Sequence, residues 1–335
     1  MARPPVIPDP KGMDRRQFMR HMALTGATAT GALAAGLFLW QRKHFVPGFG
    51  DKSGIRLPSF ATATAKTQVS LGIAHGTGRI ATTRAAIDAL GGIQRFIQKG
   101  DVVMLKPNVA FDRPPALAAT THPDSLRAVA QLVLEAGAKK VIVADNPINS
   151  PAGCFLKSGL EAVANDLKLT LMYPEQSAFT YIEMEGEILR HWPFFNRPFE
   201  QADKVIGIAP CKDHNLCSAS MTMKNWYGLL GGRRNQFHQH IHSIISDFAL
   251  MMKPTLVVLD GMSVLMSNGP TGGRLSDVKD MGTVVAGTDM VSVDSYGYQN
   301  LLGRDVANLD YLHKAHQRGL GNMNWKESTW KEVNS

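Results

Sequence analysis

Lys212 and His214 stand two positions apart just beyond an apolar run, Val205-Ile206-Gly207-Ile208-Ala209, and Lys224-Asn225 follow ten residues after His214. An extended continuation of that run points Lys212 and His214 to the same side. Lys106 closes a second apolar run, Val102-Val103-Met104-Leu105, with Asn108 just beyond it. Three lysines brought together suit a carboxylate or a phosphate, and a desolvated lysine can lose up to ~3–5 pKa units and become a base or a Schiff-base amine. His214 is the candidate acid/base, with Asp294 or Asp260 to orient it. The expected catalytic set is His214, Lys212, Lys224 and Asp294. The expected ligand-binding set is Lys106, Asn108, His122, Asp145, Asn225 and Arg274, the last as the fork of a glycine-rich loop, Asn268-Gly269-Pro270-Thr271-Gly272-Gly273-Arg274. The competing reading of the lysines is three solvated surface side chains.

His238, His240 and His242 invite a metal. Ile241, Ile244, Ile245, Phe248 and Met252 form a stripe at helical spacing, and on a continuous helix His238 and His242 share its side while His240 points away. His238 and His242, with Asp260 or His214, are therefore the candidate ligands for a single ion, and core or interface histidines are the plainer alternative.

These side chains can meet only if the elements carrying them cooperate. Four apolar runs, ending at Lys106, Asp145, Cys211-Lys212 and Asp260, read as strands buried on both faces. A helix between the first two is announced by Pro123 and Asp124 at its start and Gly137 at its end. That β-α-β unit makes its strands parallel. Ligands of open α/β sheets sit beyond the carboxyl ends of the strands, so Lys106, Asp145, Lys212, His214 and Asp260 are expected to converge along one rim. The fold class is α/β: a mostly parallel sheet flanked by helices, in one lobe or two, behind an N-terminal export or anchor helix. Met221, Met223, Trp226 and Tyr227 read as core or pocket wall. The tail after Gly319, with Trp325 and Trp330, is expected to pack on a partner or a membrane surface.

The net charge of +8 is concentrated at the N-terminus: residues 1–60 hold nine Lys/Arg against three Asp/Glu, leaving 27 against 25 for the rest. Nucleic-acid binding is therefore not expected of the folded region. Cys154, Cys211 and Cys217 contain no C-x-x-C pair, which excludes a self-contained iron–sulfur cluster or thiolate zinc site. Two buried thiols at Cys211 and Cys217 are expected, with a disulfide as the alternative.

The basic leader has an order of its own. Asp14-Arg15-Arg16-Gln17-Phe18-Met19-Arg20 is a twin-arginine pattern, followed by a weakly apolar run from about His21 to Trp40. It predicts export of a folded chain through the twin-arginine translocase, to the periplasm or the outer face of the cytoplasmic membrane. Cleavage and a retained anchor are both open. The expected organisation is a signal or anchor over residues 1–44, a linker over 45–66 rich in Pro, Gly, Ala and Thr, and an α/β domain over 67–335.

The folded region resembles the domain-of-unknown-function 362 family over roughly residues 67–302. The resemblance rests on Lys106-Pro107-Asn108, Thr121-His122-Pro123, Ala136-Gly137-Ala138-Lys139, Lys212-Asp213-His214, Met223-Lys224-Asn225-Trp226-Tyr227-Gly228, Asp260-Gly261, Gly269-Pro270 and Asp289-Met290-Val291-Ser292-Val293-Asp294. Met290 departs from the proline usual there, and the cysteine-rich segment of many members is absent. A fainter likeness, in the His-Pro helix start and the Lys/His loop, is to the nickel-pincer lactate racemase group. It implies a two-lobed α/β architecture and a cofactor held by Lys and His, an analogy of fold and not of activity. The expected function is an exported enzyme that binds a small anionic substrate or cofactor, or a single metal ion. Proton transfer next to a carboxylate is its first reaction type. The alternative is a non-catalytic, membrane-tethered subunit or assembly factor of a redox complex facing the periplasm.

Overall fold

In the computed structural model, short apolar runs bounded by Gly, Pro or Asp become the interior strands of one sheet. The structure describes Arg16, Met19, residues 54–63, Ala65 and residues 67–335. Apart from Arg16 and Met19, the twin-arginine pattern, the anchor segment and linker residues 45–53 lie outside the described residues. From Gly54 onward these belong to a single unit, residues 49–335, so the α/β region is one lobe and not two.

The first half of the chain alternates strand and helix. β1 (Leu71–His75) leads to α1 (Arg79–Ala89), β2 (Val102–Pro107) to α2 (Pro123–Glu135), and β3 (Lys140–Ala144) to the pair α3 (Pro151–Lys157) and α4 (Leu160–Asp166), before β4 (Thr170–Met172). β5 (Phe179–Glu183) and β6 (His191–Phe195) pair only with each other, antiparallel. The second half runs β7 (Lys204–His214), β8 (Ser218–Ser220), α5 (Thr222–Asn225), α6 (Ile241–Met251), β9 (Leu256–Leu265), β10 (Val278–Gly287), α7 (Met290–Tyr296), α8 (Asp310–Gln317) and β11 (Trp330–Asn334).

The main sheet has the order β11-β1-β10-β9-β7-β2-β3-β4, with β8 added to β7. Adjacent strands from β9 to β4 are all parallel, as are β1 and β11. β10 runs antiparallel to both of its neighbours. The four strands whose ends carry the candidate residues therefore lie side by side, β9-β7-β2-β3, pointing the same way.

Each interior strand feeds two cores. Val103, Leu105, Ile206, Ile208 and Val258 face α1, α2 and α4 through Ala86, Ile87, Leu126, Val129 and Val163. Met104, Val205, Val257 and Leu259 face the other way, toward α5, α6, α7 and α8 through Met223, Ile244, Phe248, Val291 and Leu312. This alternation decides where polar residues at the strand ends go. Lys106 shares the side of Met104 and meets α5. Asp260 shares the side of Val258 and meets α1 and α2.

Glycines set two helix ends: α1 stops at Ala89, where Gly91 and Gly92 take φ of 103° and 84° and a 3-10 turn, Ile93–Arg95, follows, and α3 and α4 are separated at Gly159 with φ 76°. Two expectations are corrected. The tail packs on its own sheet: Trp325 is buried and β11 adds to β1. Part of the expected linker is also docked. Ile55 bridges to Ile182, and Phe60 is buried, with its N–H donating to the Lys253 carbonyl at 2.9 Å.

Candidate functional site

Beyond the carboxyl ends of β2, β3 and β7 lies a cavity of about 280 Å³. Its lining includes Lys106, Asn108, Asp145, Lys212, His214, Lys224 and Asn225. Seven of the ten candidate catalytic and ligand-binding residues thus share one wall system, although 119 positions separate Lys106 from Asn225.

Lys106 is completely buried and fully engaged. Its ammonium lies 2.7 Å from Asp145 Oδ1 and donates to Asn225 Oδ1 at 2.8 Å and the Pro107 carbonyl at 2.9 Å. Asp145 Oδ2 accepts from the Val109 N–H at 2.7 Å. Asn225 returns its amide to the Lys106 carbonyl at 3.1 Å, and Asn108 donates to Asn225 Oδ1 at 3.3 Å. Three ammonium donors therefore have three acceptors. Burial pushes the Lys106 pKa down and the Asp145 carboxylate pulls it back up. The pair leaves no room above it: a Cβ on Gly228 would lie 2.3 Å from Asp145 Oδ1 and 2.9 Å from Lys106 Nζ. Glycine in the Lys-Asn-Trp-Tyr-Gly element is required by that approach.

Lys224 is the opposite case. Among the described residues its ammonium has no hydrogen-bond or ion-pair partner and lies 5.1 Å from the centroid of the Tyr227 ring. Burial lowers its pKa. Lys212, 1% exposed, donates to the Ala119 carbonyl and sits 5.1 Å from the Phe111 ring centroid. Burial first, then the charges of Lys224 and Lys106, push it down to about 7. His214 is pushed down to about 2 by burial, then by Lys224, Lys212 and His238. It is therefore neutral at physiological pH. Its Nδ1 accepts from the Leu216 N–H at 3.2 Å, so the ring proton is on Nε2, a free donor.

Asp294 does not line the cavity. Fully buried, it accepts at Oδ1 from the Thr222 N–H (2.8 Å) and hydroxyl (2.5 Å), and at Oδ2 from the Met223 N–H at 3.0 Å. It anchors the start of α5, the helix that carries Lys224, and its pKa is pushed up to about 7 by burial. Its role is positioning. His122 caps α2, accepting from the Asp124 N–H at 3.1 Å, and Arg274 is exposed on its loop; neither reaches the cavity.

The metal set is not brought together. Asp260 is on the other face, bound by Arg79 and by the Ser125 hydroxyl at 2.6 Å. His238 lies in a 3-10 turn, Arg234–His240, before α6 begins, so the continuous-helix projection fails. It stacks on Tyr227 and lines the cavity, whereas His242 stacks on Tyr311. Among the described residues no three His, Cys, Asp or Glu side chains gather to hold an ion. The residues do not fit a resident metal. Cys211 and Cys217 are free, buried thiols.

Arg234 was not anticipated. Its guanidinium donates to the carbonyls of Tyr227, Gly228, Leu230, Asn146 and Pro147 at 2.8–3.4 Å, tying the loop after β3 to the turn after α5. The only hint was an Arg pair following Gly231-Gly232.

A family model described as a domain of unknown function, DUF362, matches residues 103–299. A thylakoid-associated protein of Synechocystis sp. is 25% identical over 256 residues, 72% of this chain and 75% of its own. Among solved structures, the lactate racemase apoprotein from Thermoanaerobacterium thermosaccharolyticum is similar at TM-score 0.41 and 13% identity, covering 73% of this chain. This chain spans 61% of that protein's length. A Thermotoga maritima protein solved by a structural genomics consortium is similar at TM-score 0.32 and 12% identity, covering 58% of this chain and 52% of its own.

Proposed function

The chain belongs to the family of the domain of unknown function DUF362, and from that premise we propose that it is an exported enzyme. Its cavity binds a small anion and transfers a proton next to a carboxylate. The carrying observation is the half-buried ammonium of Lys224, which has no hydrogen-bond or ion-pair partner among the described residues. A partly desolvated cation without a countercharge favours an anion beside it. The one carboxylate in the cavity lining, Asp145, is already taken by Lys106. A bound anion supplies the missing countercharge.

The roles follow from the surroundings. Lys224 pairs with the carboxylate of the substrate, and the His214 Nε2–H donates to one of its oxygens as charge builds there. Lys212, at about 7, is half neutral at physiological pH. Its neutral amine takes the proton from the carbon next to the carboxylate, and the electron pair of that C–H bond moves into the carboxylate. Return of a proton from Lys212 completes the exchange. A base with its pKa near the working pH combines availability with driving force. Arg234, through its five carbonyl partners, keeps the walls in place.

Incubation in deuterium oxide with 2-hydroxy and unsubstituted carboxylates, each with a C–H next to the carboxylate, followed by proton NMR, tests this. Deuterium entering the position next to the carboxylate, and lost in Lys212→Met with the circular dichroism unchanged, is expected. Lack of binding of every carboxylate and of phosphate would remove the reading.

Export through the twin-arginine translocase, with the domain on the outer face of the membrane and open to a membrane-complex partner, is part of the proposal. It is supported by Asp14–Arg20 and is in keeping with the relative described as thylakoid-associated. Replacing Arg15 and Arg16 by Lys is expected to leave the chain in the cytoplasmic fraction.

A further inference from the structure

Anion binding accounts only for the deep half of the cavity. The remaining lining mixes polar side chains, Asn146, Asn215, Ser220, Arg234 and His238, with an apolar set: Ala110, Phe111, Ile148, Leu216, Pro270 and the ring of Tyr227. Exposure sorts the lining by depth. Lys106 and Lys212 are 0% and 1% exposed, whereas Ile148 and Leu216 are 61% and 51% exposed. The floor is cationic, and the mouth carries two exposed aliphatic side chains beside the exposed Asn215.

The two mouth residues come from separate loops, one after β3 and the other between β7 and β8. Both loops are held by bonds donated from their own N–H groups. The Ile148 N–H donates to the Ala110 carbonyl at 3.0 Å, and the Leu216 N–H to His214 Nδ1 at 3.2 Å. Leu216 is thus fixed by the same ring whose other nitrogen is the free donor of the floor. Phe111 stands where the halves meet, its ring centroid 5.1 Å from the Lys212 ammonium. Aliphatic side chains held in water beside a cavity gain when apolar surface covers them.

We infer that the ligand is a small amphiphilic anion. Its carboxylate or phosphate reaches Lys212 and Lys224, and its apolar chain or ring runs out between Phe111, Ile148 and Leu216. This rests on the anion-binding reading above and names the class of ligand. The size fits a free molecule: about 280 Å³ is just below the ~300–1,000 Å³ of typical small-molecule sites.

The test is calorimetric titration with acetate, butyrate, hexanoate and octanoate at constant ionic strength, with inorganic phosphate as a chain-free anion. Affinity is expected to rise roughly fourfold for each methylene that becomes buried. Ile148→Ser and Leu216→Ser change exposed side chains, so the fold should tolerate them. They are expected to flatten the series while leaving acetate and phosphate binding unchanged. Equal affinity for all four acids would overturn the amphiphile and leave the anion site standing. Failure of every acid and of phosphate to bind would remove both. With phosphatidylcholine vesicles containing phosphatidylglycerol, Lys224→Met is expected to sediment to the same extent as the native chain, whatever the basic leader contributes. Sedimentation that falls in Lys224→Met would overturn the free-molecule assignment in favour of a bilayer lipid.

Discussion

Lys106 and Lys224 reach the same cavity from different elements, and their surroundings are opposite. Lys106, at the end of β2, spends its three donors on Asp145, Asn225 and a carbonyl. Lys224, on α5, has an aromatic ring beside it and no acceptor among the described residues. The first arrangement is what a fold needs, since a buried ion pair with its remaining valences satisfied rigidifies the meeting point of β2, β3 and α5. The second leaves a half-buried cation without a countercharge among the described residues, which the proposed anion would supply. Sharing a residue type and a cavity does not make two side chains equivalent; the count of acceptors separates scaffold from site.

That contrast can be broken, beginning with its largest expected effect. Lys106→Met leaves the Asp145 carboxylate buried without its cation and is expected to destabilise the protein by ~3–5 kcal/mol, read from denaturant unfolding. A loss under ~1 kcal/mol would place Lys106 with Lys224 instead. Asp294→Asn disturbs the three donors of Thr222 and Met223 that start α5, with an expected cost of ~1–3 kcal/mol. Because α5 carries Lys224, carboxylate affinity should fall as well, by less than in Lys224→Met.

The pH dependence sharpens the comparison with a smaller effect. Free Lys212 stands at about 7, and an anion beside it raises that value, so binding takes up a proton. Carboxylate affinity is then full below about 7 and declines as the pH rises toward the bound-state value, by at most ~10-fold per unit. At saturating carboxylate the exchange rate moves the other way, rising through the higher bound-state value as Lys212 becomes neutral. Titrations and rates between pH 6 and 9 check both signs; an affinity flat across that range would detach Lys212 from the anion.

Much of the scaffold was legible. Val102–Leu105 and Val141–Ala144, with a helix between them announced by Pro123 and closed by Gly137, fix a parallel pair, and the polar residues after each strand lie at one end of the sheet. The face each one takes was not legible. Strands such as Leu256-Val257-Val258-Leu259 are apolar on both sides and carry no alternation to read, so nothing separated Asp260 from Lys106. β7 also runs on to His214 through an irregular register between Pro210 and Lys212, pairing there with β8. Such a shift depends on neighbours and leaves no periodic trace. His238 misled for a related reason: the apolar stripe of α6 was extended backward into residues that adopt a 3-10 turn. Roles resting on acceptor counts, such as the five carbonyls around Arg234, exist only after the chain has folded.

Thermal unfolding of the native chain and of Lys224→Met, in rising phosphate against chloride of equal ionic strength, addresses the unpartnered ammonium most directly. The native midpoint should climb with phosphate beyond the chloride control, while Lys224→Met should begin at or above the native midpoint and stay there. A variant that starts lower and still climbs like the native chain would contradict the account.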